Sequence, residues 1–286
     1  MPQLDLRPLS LGEILDRTFS LYRRHFLLFL GIAAIPHLLT LGLSLVQILL
    51  LHPAQRGVLG QKNTALSSGP LALGFAGFFV WLLVYLVAYL FAQGGTIYAV
   101  SDLYLGRNTT IGASLRRMWG QLLNLLGVSI LNGLAVGAAC IFLIIPGLYV
   151  ACRLITCVPA ALIEDLGARE SLERSFALTK GSAGRGFVIY LLYIVLLYAA
   201  LLLFAIPFGV MVAMSGKDPG MLRSAMALMQ VGNFFGGVLV TPFFLIAISV
   251  FYYDLRVRKE AFDLQLMMNP SGSVPAAGPR VPSMLA

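Results

Sequence analysis

The chain has 286 residues, of which 59% are hydrophobic and only 11% charged, and its formal charge is +8. A soluble fold carries about 25% charged residues and has to cover its surface with polar groups, so this composition excludes an ordinary soluble domain and makes lipid the solvent. The basic residues flank apolar runs, which suits anionic lipid headgroups and argues against nucleic acid.

Residues 1–25 are polar and amphipathic. Ser10-Leu-Gly-Glu13 reads as a capping box, in which the two side chains satisfy each other's backbone N–H groups. Leu11, Ile14, Leu15, Thr18, Phe19 and Tyr22 then share one helical face, the pattern of a helix lying on the cytoplasmic membrane surface. Residues 26–51 form the first apolar run, too long for a cleaved leader. A span needs about 20 apolar residues, and residues 71–100 contain the second. Residues 110–121 repeat the amphipathic pattern with Ile111, Leu115, Met118 and Trp119. The apolar stretch 122–163 is too long for one helix, and Pro146-Gly147 inside it reads as a hairpin turn, which gives a third and a short fourth span. Residues 187–214 and 225–253 are the fifth and sixth.

The fold class is therefore all-α: a polytopic helical membrane protein with about six transmembrane helices and amphipathic cytoplasmic interfacial helices. Its expected organisation is a helix over 1–25, a six-helix domain over 26–253, a cytoplasmic helix over 254–268 and a disordered Pro/Gly/Ser-rich tail over 269–286. Charge fixes the expected orientation. With both termini inside, fifteen Lys and Arg face the cytoplasm, four (Arg56, Lys62, Lys217, Arg223) face out, and Arg153 lies within a span.

Three segments share a pattern: Leu15-x-Arg17-x-Phe19, Leu115-x-Arg117-x-Trp119 and Leu172-x-Arg174-x-Phe176. Each precedes a pair of spans containing an Ile-Pro step, and the pairs end at Asp102-Leu103, Asp165-Leu166 and Asp254-Leu255. The unit reads as a surface helix plus a hairpin, used three times. Arg17, Arg117 and Arg174 are then interfacial sites at one level, either pairing with Asp102, Asp165 and Asp254 or gripping lipid phosphates.

Arg153 is the one ionisable residue deep in the fourth span. A straight helix would place it about 18 Å from Asp165, near mid-bilayer. Two readings stand: a structural anchor bonded to polar groups such as Asn132, or a site for an anionic ligand. Cys140, Cys152 and Cys157 read as packing residues, and the spacing of His25, His37 and His52 offers no metal site. No cofactor, catalytic residue or enzymatic motif is expected.

Four stretches carry a resemblance: Leu9-Ser-Leu-Gly-Glu-Ile-Leu-Asp-Arg-Thr-Phe-Ser-Leu-Tyr-Arg-Arg24, Ile145-Pro-Gly-Leu-Tyr-Val-Ala-Cys-Arg153, Ser171-Leu-Glu-Arg-Ser-Phe-Ala-Leu-Thr-Lys-Gly181 and Tyr252-Tyr-Asp-Leu-Arg-Val-Arg-Lys-Glu-Ala-Phe-Asp263. They are similar to the bacterial membrane-domain family of glycerophosphoryl diester phosphodiesterases. The resemblance covers the membrane module only. The metal-binding carboxylates and histidine pair of the phosphodiesterase barrel have no counterpart here, so the activity in the family's name does not carry over. The expectation is a non-enzymatic module of the bacterial inner membrane that binds anionic lipid headgroups, a partner protein or a second copy. The alternative is a small transporter or lipid carrier that uses Arg153 for an anionic ligand.

Overall fold

The computed structural model describes residues 7–60, 68–214 and 219–260. Ten α-helices and no strand occur among them. In order they are α1 (Leu11–Arg24), α2 (Phe26–Gly60), α3 (Ser68–Tyr104), α4 (Ile111–Met118), α5 (Leu122–Phe142), α6 (Ile144–Arg153), α7 (Cys157–Ile163), α8 (Ala168–Thr179), α9 (Ala183–Met214) and α10 (Pro219–Glu260). A 3₁₀ turn, Trp119–Gln121, joins α4 to α5. Six segments of the described chain are long and apolar enough to cross a bilayer, so the protein is an all-α polytopic membrane protein.

Three helical hairpins organise the bundle: α2–α3, α5–α6 and α9–α10. The helix α10 is central, since 61% of its most apolar window is buried against 6% for α9, and it packs on α9, α2, α1 and α3. Its burial is concentrated toward its end, from Leu245 to Val257. The short helices α1, α7 and α8 pack on that end, α4 packs on α3 and α2, and together they form a polar base to the bundle.

The capping box forms as expected: Glu13 N donates to Ser10 Oγ at 3.3 Å and Ser10 N donates to Glu13 Oε2 at 2.6 Å. The apolar faces of α1 and α4, however, are turned to protein instead of lipid. Ile14 and Thr18 of α1 are fully buried and α1 packs on α10. On α4, Met118, Leu115 and Ile111 fit into notches left by glycines: a Cβ at Gly94 would stand 2.1 Å from Met118 Sδ, one at Gly95 3.0 Å from Leu115 Cδ2, and one at Gly31 2.5 Å from Ile111 Cδ1. Phe19 and Trp119 alone of these two apolar stripes stay largely exposed, at 58% and 76%.

The middle hairpin turns at Leu143, whose backbone is extended (φ −165, ψ 145), and not at Pro146-Gly147. Proline is compatible with the first turn of a helix, where its missing N–H has no partner to lose, so Pro146 starts α6 instead of ending α5. Gly147 is there for close approach, since a Cβ would stand 2.8 Å from the Cα of Cys140 across the turn. The fourth span is also not one straight helix. It breaks over residues 154–156, and α7 then runs back along α8, with Thr156 Oγ1 2.9 Å from Ser175 Oγ. Residues 254–260 continue α10 without a break. Residues 261–268 and the tail 269–286 lie outside the described residues.

A charged latch at the base of the bundle

At the base, α10 presents Tyr252, Tyr253, Asp254, Leu255 and Arg256, all 0–1% exposed. Helical spacing sorts its polar groups into two faces. Tyr252, Arg256 and Glu260 follow at i, i+4 on one, and Asp254 and Arg258 on the other.

On the first face, Glu164 from the end of α7 accepts from Arg174 Nε at 2.7 Å and from the Tyr252 hydroxyl at 2.6 Å. Arg256 Nε lies 3.7 Å from Glu164 and 3.2 Å from Glu260, and Arg174 Nη1 closes the ring on Glu260 at 2.5 Å. Two carboxylates and two guanidiniums thus neutralise one another in an enclosed site, the condition under which buried ions are tolerated. Burial works against the charge of Arg174, but its bonds to Glu260 and Glu164 outweigh burial and hold its guanidinium above its ordinary value.

On the second face, Asp254 accepts from Leu9 N at 2.7 Å, Arg185 Nη1 at 2.8 Å and Arg258 Nε at 3.0 Å. The Leu9 carbonyl accepts in turn from Arg185 at 2.8 Å and Arg258 at 2.5 Å. This cluster fastens the segment before α1 onto the end of α10. Tyr253 completes the layer, its hydroxyl 2.7 Å from Ser101 Oγ and its ring stacked on Tyr104 at 4.9 Å.

The three repeat arginines fall into this layer by different routes. Arg117 lies 3.5 Å from Asp102 and 4.4 Å over the Tyr98 ring. Arg174 takes Glu164, the residue before Asp165. In both cases the arginine opening one unit meets an acid closing the unit before it. Arg17 instead donates to the Tyr104 hydroxyl at 3.0 Å. Asp165, in a left-handed backbone turn (φ 54), accepts from Gln121 at 2.5 Å.

Arg153 ends α6 and closes on the end of α8. Its guanidinium donates to Thr179 Oγ1 at 3.1 Å, the Tyr149 hydroxyl at 3.1 Å and the Phe176 carbonyl at 2.5 Å. The Phe176 and Tyr149 rings flank it at 5.2 and 5.9 Å. Lys259 donates to the Ala177 and Lys180 carbonyls of the same helix end, both at 2.9 Å. Cations at a helix C-terminus satisfy its last carbonyls and complement its dipole. Asn132 is not among the partners of Arg153; its Oδ1 is enclosed with no hydrogen bond among the described residues.

Sequence reasoning singled out Arg153, Arg174 and Asp254 but missed Glu164, Arg185, Arg256, Arg258 and Glu260. The signal for most of them is the run from Tyr252 to Glu260, where tyrosines and alternating charges at helical spacing end an apolar helix.

A different set of arginines remains outside. Arg23, Arg24, Arg107 and Arg116 are exposed on the ends of α1, α3 and α4, and among the described residues no acid or hydrogen-bond acceptor engages their side chains. Among the described residues no cluster of His, Cys, Asp and Glu is arranged to hold a metal ion.

Residues 132–270, just under half of the chain, match the model of a family described as the membrane domain of glycerophosphoryl diester phosphodiesterase. Three of the four motif stretches that carry the resemblance fall inside the match, and the resemblance is borne out there. Comparison with curated proteins and with solved structures gives no match.

Proposed function

Taking residues 132–270 as a membrane domain of this family, we propose that the chain is a non-enzymatic membrane module whose base rests on anionic phospholipid headgroups at the cytoplasmic face of a bacterial inner membrane. The observation that carries this reading is the division of the arginines into two classes. Arg153, Arg174, Arg185, Arg256 and Arg258 are engaged by acids or carbonyls and hold the base together. Arg23, Arg24, Arg107 and Arg116 are exposed and unmatched; Arg23 follows the exposed Phe19 by one helical turn, and Arg116 precedes the exposed Trp119 by about one. Aromatic rings at the headgroup level beside unmatched cations are the arrangement that an anionic leaflet attracts, at about 1 kcal/mol per basic residue near the surface.

The carrier reading needed Arg153 to await an anion. Its guanidinium already has three acceptors in the fold, which favours the anchoring role.

The test is lipid retention in native mass spectrometry from nanodiscs of mixed phosphatidylglycerol and phosphatidylcholine. The intact chain is expected to enrich phosphatidylglycerol, and the combined variant R23Q/R24Q/R107Q/R116Q to lose that enrichment with its melting temperature unchanged. Equal retention of the two lipids by the intact chain refutes the reading. Labelling of a cysteine placed at Ser20 from inside but not outside intact cells checks the orientation.

A further inference from the structure

Above the base, between α3 and α9 and over α10, lies an aromatic cluster that the latch does not use. Trp81, Tyr85 and Tyr89 follow each other on one stripe of α3, with ring centroids 5.6 and 6.2 Å apart. Facing them, Tyr193 of α9 stacks on Phe244 of α10 at 4.4 Å, and Tyr190 lies against the same ring at 5.4 Å. Tyr89 is within electrostatic range of Tyr193 and Tyr85, and Tyr190 is within range of Tyr89 and of Cys152 and Cys157 below. The four hydroxyls therefore converge on one region.

Their hydrogen bonding is incomplete. All four tyrosines are half-buried, and among the described residues none of their hydroxyls has a partner. Trp81 Nε1 is enclosed and also unpartnered. The cluster lies in the apolar part of the bundle, with Tyr89 about 20 Å of helix before Asp102 and Tyr193 about 12 Å beyond Arg185. Water is absent at such depth, and polar groups there are satisfied from within the protein or by what the protein binds. Four tyrosine hydroxyls gathered without an acceptor match a ligand that brings acceptors. The side chains of the cluster supply no cation to offset the desolvation of an anion, so the matching acceptor is a neutral oxygen on an apolar body.

The middle hairpin flanks the cluster. It packs against both α3 and α9, and α6 meets α9 near its start, where a Cβ on Gly186 would stand 3.1 Å from the Cys152 carbonyl. From there α6 rises only about 15 Å to the turn at Leu143, while α9 continues for about 40 Å. The tip residues Ile141, Phe142, Ile144 and Ile145 are apolar and at least 79% exposed. Tyr85 and Tyr193 are themselves part-exposed, next to the exposed Val84 and Ile194, so the cluster is reached from the outer apolar surface of the bundle.

We propose that Tyr85, Tyr89, Tyr190 and Tyr193 form an intramembrane binding site for a neutral lipid bearing carbonyl oxygens, taken laterally from the bilayer. The hydroxyls grip the carbonyls and the rings hold the apolar body. Ester carbonyls of a glycerolipid and ring carbonyls of a quinone both supply this chemistry.

The full-length protein in nanodiscs of ether-linked phosphatidylcholine, which has no ester carbonyl, is offered dioleoylglycerol or decylubiquinone, and the mass retained per chain is measured. Retention of one compound assigns the source; retention of both assigns carbonyl recognition without selection between them. The double variant Y89F/Y193F keeps both rings and is expected to weaken retention at least tenfold with an unchanged or higher melting temperature. On W119F protein, where Trp81 is the remaining tryptophan, decylubiquinone retained in the site is expected to quench the fluorescence, a readout that does not depend on the tyrosine variants folding. Failure to retain either compound, or undiminished retention by a folded Y89F/Y193F, overturns the proposal. The site is independent of the headgroup face, so the four-arginine variant is expected to bind as the intact chain does.

Discussion

The backbone N–H of Leu9 donates to Oδ1 of Asp254 at 2.7 Å, joining positions 245 residues apart. Arg185 and Arg258 bridge the same pair by bonding both the Asp254 carboxylate and the Leu9 carbonyl. The segment ahead of α1 is thus held by a side chain at the end of the last helix, and α1 is oriented before it meets any lipid.

Replacing Asp254 with Ala removes the acceptor that all three donors share. A fully enclosed broken ion pair costs about 3–5 kcal/mol. Here Arg185 and Arg258 are 26% and 34% exposed and can turn toward water, so a loss of about 2–4 kcal/mol is expected. Denaturation in detergent gives the magnitude. Limited proteolysis is expected to cut ahead of Leu11 in D254A and not in the intact chain.

Glu164 has less room to compensate. Its side chain and that of Arg256 are both 0% exposed, so E164A leaves Arg256 enclosed with Glu260 as its remaining acid, and a loss of about 3–5 kcal/mol is expected. E164A combined with R256M removes both charges from the enclosed site. The double variant is expected to be less damaged than the sum of the singles, with a coupling of about 0.5–3 kcal/mol. Strict additivity would show that the two groups do not act as a pair.

The hydrophobic pattern made the six spans and the capping box legible, because apolar run length and cap chemistry are local. The turn of the middle hairpin was misplaced by three residues, since proline suits both a turn and the first turn of a helix, and only the contact of Gly147 with Cys140 separates the two. The partner of Arg153 was invisible for a related reason. Counting along a straight helix carried the residue toward Asn132, whereas the break over residues 154–156 brings it to Phe176 and Thr179. Arg174 and Asp254 were found because they recur in a pattern. Glu164 was passed over because the repeat pointed to its neighbour Asp165 as the acid for Arg174, and its other partners, Tyr252 and Arg256, are far away in sequence.

The N-terminal cap of α1 has a defined pH response. Hydrogen bonds from the Ser10 backbone, then the Ser10 side chain and Arg7, lower Glu13 from 4.5 to about 2. A depressed carboxyl stabilises the folded form above its ordinary value and loses that contribution as pH falls toward the folded one. Amide exchange in the first turn of α1, corrected for intrinsic rate, is therefore expected to be constant above about pH 5 and to rise between 4.5 and about 2. E13Q is expected to show the raised exchange at every pH.

Gly147 and Gly94 separate two kinds of close approach. A Cβ on Gly147 meets backbone, with Cys140 Cα at 2.8 Å and its N at 2.9 Å, whereas a Cβ on Gly94 meets the movable thioether of Met118. G147A is expected to cost about 1–3 kcal/mol, as overpacking does, and no substitution of a facing side chain is expected to restore it. The loss in G94A is expected to be partly recovered in G94A/M118A, as read by melting temperature. Equal recovery at both positions would contradict this distinction.

Arg153 supplies the sharpest test of what its charge is for. Its planar fork reaches Thr179, Tyr149 and the Phe176 carbonyl together, a geometry that the single ammonium of lysine does not reproduce. R153M leaves the end of α8 with only Lys259 to cap it, so a loss of about 1–3 kcal/mol is expected, and R153K is expected to recover less than half of it. If the residue is an anchor, phosphatidylglycerol enrichment by the folded R153M protein stays at the level of the intact chain, measured beside the four-arginine variant. Should R153M abolish that enrichment while keeping its stability, the guanidinium would have to be reassigned from the fold to a ligand, and the carrier reading would regain its basis.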